Sequence, residues 1–178
     1  MSRHLIRRAI VFGVSLVAVL VAWVPTATAN TSATTTPVAG TAVFDTGTSC
    51  PPPPPGYGDF TDYPPLVMSG DLQGCWYTNV ERSWDLGQPT GLYFEVGREV
   101  FVGRIKGGPV GTFSTVYSFE SKWDPDIKTG HEVWGHCEHP IVPGSGTAGL
   151  KGVTGYIGFV DIVTDGSYRY SGYVVLPH

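Results

Sequence analysis

The chain has 178 residues, with 11 Lys and Arg against 15 Asp and Glu, a formal net charge of −4. That balance lacks the clustered cations that nucleic acid or an anionic membrane surface needs, so neither is an expected partner. Glycine (24) and proline (15) are abundant and long helix-forming runs are absent, which argues against a helical fold and for a turn-rich β architecture.

Residues 1–29 read as a secretory signal peptide. Arg3, Arg7 and Arg8 form a basic n-region, Ala9 to Val24 an apolar h-region, and Ala27-Thr28-Ala29 an A-x-A cleavage site. The apolar run falls short of the roughly 20 residues a spanning helix needs, and no Cys follows it for a lipid anchor. Cleavage removes three Arg and no acid. The mature chain from Asn30 then has 149 residues, 8 basic and 15 acidic, a net charge of −7. A secreted location is expected, one in which disulfides persist. Asn30-Thr31-Ser32 matches a glycosylation sequon.

Residues 30–65 read as a Thr/Pro-rich linker. Asn30 to Ser49 is rich in Thr, Ala and Ser, and Pro51 to Pro55 is an unbroken proline run, stiff and extended. A spacer is the plain reading of this segment, and a recognition peptide for an aromatic groove is the alternative.

Residues 66–178 read as the folded domain. Strand-like runs are Leu66–Thr78, Gly91–Val96, Glu99–Lys106, Gly111–Trp123, His131–His139, Val153–Val163 and Tyr168–Leu176, divided by turn signals such as Gly107-Gly108-Pro109 and Asp165-Gly166. The strongest alternation places Phe113, Thr115, Tyr117, Phe119 and Trp123 on one face, with mostly polar residues opposite. Phe113, Tyr117, Phe119 and Trp123 are therefore the candidate ligand-binding residues. In the run from Val153 both faces are apolar, which predicts cover on the outside by a helix, a partner or the linker.

Three cysteines, Cys50, Cys75 and Cys137, leave one unpaired if two join. Cys75 and Cys137 lie in strand-like runs and are the favoured pair. Cys50 reaching Cys75 is the alternative.

No complete catalytic set is visible. His131, Glu132, His136, Glu138 and His139 are the densest group of metal-ligand types. In a strand only i, i+2 neighbours share a face, and structural zinc usually needs four ligands, so no metal is expected. Asp124 to Gly130 lacks the donors and glycine of a calcium loop, and Ser145 lacks a nucleophile elbow. Glu99 shares a face with Phe101 and Ile105, and Asp161 with Ile157 and Phe159. A carboxylate inside an apolar barrel has a raised pKa and can act as acid, base or ligand anchor, so these two are the candidate catalytic residues.

The stretch Gly144-Ser145-Gly146-Thr147-Ala148-Gly149-Leu150-Lys151-Gly152-Val153-Thr154-Gly155 resembles the late glycine motif of the allene oxide cyclase-like barrel superfamily, which includes dirigent proteins and secreted bacterial relatives. Gly130-His131 and the Tyr-rich run Tyr168 to Tyr173 add to the likeness, which spans about residues 90–176. The resemblance implies an eight-stranded antiparallel barrel, often oligomeric, with an apolar cavity and no cofactor. It carries no catalytic set onto this chain. The sequence thus leads to an all-β barrel preceded by a linker. It is expected to bind a small apolar ligand or a macromolecular partner, with a cofactor-free isomerase or cyclase as the alternative and an envelope protein using the proline run as a spacer as a third reading.

Overall fold

The computed structural model describes residues 34–177; the signal segment, the sequon and His178 lie outside the described residues. Nine strands follow in chain order: β1 Thr34–Phe44, β2 Leu66–Gly70, β3 Leu72–Asp85, β4 Leu92–Ile105, β5 Gly111–Asp124, β6 His131–Pro140, β7 Thr147–Ala148, β8 Thr154–Ile162 and β9 Ser167–Leu176. Every pairing is antiparallel. The hydrogen-bonded order runs β4-β3-β2-β1-β9-β8-β6-β5, and β5 pairs back to β4, so eight strands close into a barrel with the two-residue β7 beside the start of β5. Closure leaves those eight strands without a free edge. No helix among the described residues is long and apolar enough to cross a membrane.

The strand that closes the ring comes from the segment read as linker. Thr34–Phe44 pairs with β2 on one side and β9 on the other. Its inward positions are small: Val38 and Ala42 are buried, and Gly40 lies where the Tyr170 side chain crosses the lumen. A Cβ at Gly40 would collide with the Ser69 carbonyl and the Tyr170 hydroxyl. That hydroxyl accepts from Leu72 N (2.7 Å) and donates to Ser69 O (3.0 Å), pinning the corner between β2 and β3. The expected single run Leu66–Thr78 breaks at that corner, where Gly70 has φ +102° and Asp71 hydrogen-bonds to β1 through the Ala39 N–H. The runs expected at Gly91–Val96 and Glu99–Lys106 are instead one strand, β4, passing through Gly97.

Residues 45–65 cross the outside of the barrel as a strap. Tyr57 and Phe60 pack edge to face at 5.0 Å over Tyr77 and Val100, and Tyr77 donates to the Pro51 carbonyl at 2.7 Å. The proline run is thus docked on the domain. A disulfide joins Cys50 to Cys75, and Cys137 is free. The favoured Cys75–Cys137 pairing is therefore corrected. Cys75 faces out beneath the strap, whereas Cys137 faces the lumen, so the wall of the barrel separates them. The strap covers β3 and β4 rather than the expected apolar outer face of β8, where Val160 is 54% exposed.

The lumen has a packed half and an open half. Trp76 is fully buried, its ring 5.8 Å from Phe101, 5.7 Å from Phe113 and 5.3 Å from Phe159. Leu72, Ile105, Ile157 and Val174 extend this core toward the end that the glycine-rich segment closes with Leu150 and Val153. The other half supplies the site.

Candidate functional site

Beyond Trp76 the packing loosens, and a cavity of about 390 Å³ opens between the floor and the mouth. Its wall is aromatic and acidic. Phe44, Tyr63, Tyr93, Tyr117, Phe119, Trp123, Phe159 and Tyr168 supply rings, and Glu95, Glu99, Glu132 and Asp161 supply carboxyl groups. Among the described residues no Lys or Arg lines it.

Each carboxyl group has its own surroundings. Glu95, on β4, is the focus of three hydroxyls. Tyr63 and Tyr93 donate to Oε2 at 2.6 and 2.8 Å, and Tyr117 donates to Oε1 at 2.5 Å. Burial first, then the neighbouring Glu95, pushes the Tyr63 and Tyr117 phenols well above their ordinary value, so both stay protonated donors. Tyr63 belongs to the strap, which therefore contributes to the mouth.

Four residues further along β4, Glu99 turns into the same space. It accepts from Thr78 Oγ1 (3.0 Å) and Thr115 Oγ1 (3.2 Å), and its Oε2 lies 3.0 Å from His139 Nε2. The other imidazole nitrogen, Nδ1, lies 3.1 Å from the Ile157 carbonyl. A carbonyl only accepts, so Nδ1 carries hydrogen, and one proton is held between Nε2 and the Glu99 carboxylate. The Tyr117 ring stacks on this imidazole at 6.1 Å.

Glu132 and Asp161 form the third acidic element. Glu132 Oε1 and Asp161 Oδ1 are buried and accept no hydrogen bond. The two carboxyl groups pack over Gly135, where a Cβ would strike both. Burial first, then the hydrogen bond and charge of Glu132, pushes Asp161 up to about 8. Tyr168, directly opposite Asp161 on β9, is raised by burial and by that charge. Cys137 also faces this region, and burial pushes its thiol up, which makes it a poor nucleophile.

Both sequence candidates, Glu99 and Asp161, line the cavity, as do Tyr117, Phe119 and Trp123. Phe113 does not; it lies in the packed floor against Trp76 and Phe101. The histidine-rich run is divided by the wall. His139 points in, while His136 stacks on Trp134, which is 39% exposed. Among the described residues no three metal-ligand side chains come together. Asp126 caps its own turn by accepting from the N–H groups of Lys128 and Thr129, and the Ser145 hydroxyl donates to the Val142 carbonyl and accepts from Ser114 N, so both are structural.

Sequence reasoning missed Glu95, Glu132 and His139 as cavity residues. Glu95 has the same parity as Glu99 and becomes visible once β4 is one strand. Glu132 follows no parity rule. A bulge shifts the β5–β6 register so that Lys122 faces Trp134 but Trp123 faces Glu132, which brings Glu132 onto the lumen side.

No protein-family model, curated protein or solved structure matches this chain.

Proposed function

We propose that the protein is a secreted binding barrel whose cavity takes a small molecule with a mainly apolar body. The observation that carries this reading is the half-filled lumen. A well-packed interior leaves few voids larger than a water, yet here about 390 Å³ stays open behind a mouth lined by rings. That size and lining suit a small organic ligand. Methyl NMR during titration with phenethyl alcohol tests it. Leu66 and Ile127 at the cavity should shift, while Leu72 and Ile105 in the floor should not. Shifts confined to the outer surface, or none up to the solubility limit, would sink the proposal.

A membership of the allene oxide cyclase-like superfamily is part of this proposal. Its support is the closed eight-stranded ring and the glycine motif, which forms the turn that seats Leu150 and Val153 at one end of the barrel.

One observation favours a second reading, a cofactor-free isomerase. The Glu99–His139 pair holds a proton on the cavity wall, where it could be exchanged with a bound substrate. Glu99→Gln would then abolish turnover of a ligand found in the cavity while leaving its binding within about threefold. Equal loss of both would refute a catalytic role.

A further inference from the structure

The charge balance of the cavity narrows the class of ligand, given the reading of the lumen as a binding chamber. Of its four carboxyl groups, Glu99 is paired with His139 and Glu95 is held by three hydroxyls. Glu132 and Asp161 have no hydrogen-bond partner but each other, and each keeps a buried oxygen without a partner. Register places an aromatic ring beside each: Trp123 lies directly across from Glu132, and Tyr168 directly across from Asp161. An anionic ligand would meet four acids, and the one base on the wall, His139, is already engaged by Glu99. A neutral alcohol brings one donor for two orphan oxygens and no charge to offset the acids, which costs free energy in a desolvated site. A cation satisfies both features, because ring faces and carboxylates attract the same charge.

We infer that the ligand is an organic amine, an apolar body carrying a protonated nitrogen that seats on the Glu132–Asp161 pair between Trp123 and Tyr168. The groups that face Asp161 fix the sign of the pH dependence. They are Glu132 and Cys137 from β6 and Tyr168 from β9, all acids or neutral donors. No base among them competes for the incoming cation. An amine therefore displaces the proton that Asp161 holds, and its binding strengthens as pH rises toward about 8.

The test uses two matched trios on the full protein: phenethylamine, phenethyl alcohol and phenylacetate, and hexylamine, hexanol and hexanoate. Affinity is measured by calorimetry between pH 6 and 9, and location by methyl NMR. The expected result is that each amine binds about tenfold or more tighter than its alcohol, that the acids do not bind, and that amine affinity rises with pH and levels near 8 while alcohol affinity stays flat. The double variant Asp161→Asn, Glu132→Gln should lose the amine advantage and keep alcohol binding, which also reports that it folds. If the alcohols bind in the lumen as tightly as the amines, the cation inference is wrong and the binding chamber survives. A fall in amine affinity with pH, or an advantage that persists in the double variant, would also overturn it. If no compound of either trio enters the lumen, the binding chamber itself fails and the inference goes with it.

Discussion

Phe113 and Phe119 lie on the same strand and the same face of β5, yet they belong to different halves of the lumen. Phe113 is fully buried and touches Trp76 and Phe101 at ring distances of 5.7 and 5.0 Å. Phe119 borders open space, with the Tyr93 ring 6.3 Å away and the carboxyl groups beyond it. The lower half is filled by complementary apolar shapes, as a stable core requires. The upper half holds like charges and unpaired oxygens, an arrangement that contributes little to stability. Residues that weaken a fold yet occupy its interior are where a binding function is to be sought.

The largest expected effect sharpens this contrast. Phe113→Ala should cost about 3–5 kcal/mol in urea unfolding, the range for a truncated core aromatic. Phe119→Ala should cost under about 2 kcal/mol, because much of its surface already faces empty space. Equal losses would mean that the upper half is packed as tightly as the floor. Next in size is the strap. Removing its tether with the double variant Cys50→Ser, Cys75→Ser should lower stability by about 2–4 kcal/mol. It should leave the NMR shifts of floor residues such as Leu72 in place, since the strap grips the outer face of β3 and β4.

The floor was the more legible half. In β5 one face is dry and the other wet, so alternation by two exposes the core directly from Phe113 to Trp123. The same parity carried Glu99 and Asp161 inward. β1 was hidden because the lumen beside Tyr170 has room only for Val38, Gly40 and Ala42, and small residues next to Pro37 read as linker. Its strand character comes from pairing with β2 and β9, which local sequence does not encode. Glu132 was hidden by the bulge. The disulfide was misread because both Cys75 and Cys137 lie in strands, and strand membership does not tell which side of the wall a thiol faces.

Smaller effects probe the carboxyl groups one at a time. Glu95→Gln keeps one acceptor oxygen and puts an amide nitrogen where the other stood, so at least one tyrosine hydroxyl loses its acceptor, and a loss of about 1–2 kcal/mol is expected by chemical denaturation. An unchanged midpoint would show that the three tyrosines hold nothing there. The smallest effect concerns Asp161. Its proton is bound more tightly in the folded state, about 8, than at the ordinary value of 3.8. The stability this provides is fully present below pH 4 and is lost as pH rises through about 8. Asp161→Asn should flatten that limb of the stability–pH curve and gain about 1 kcal/mol at pH 8. A wild-type curve that rises from pH 5 to 8, with the variant parallel to it, would contradict the assigned burial.

The central claim is that the upper lumen is a chamber for a small molecule. Native mass spectrometry of the protein taken from the organism that makes it, before and after denaturation, tests this most directly. One additional small mass per chain is expected, lost on denaturation and belonging to a compound with a basic nitrogen and a mainly apolar body. A bare chain mass, unshifted when a saturating amine from the trios is added back, would contradict it.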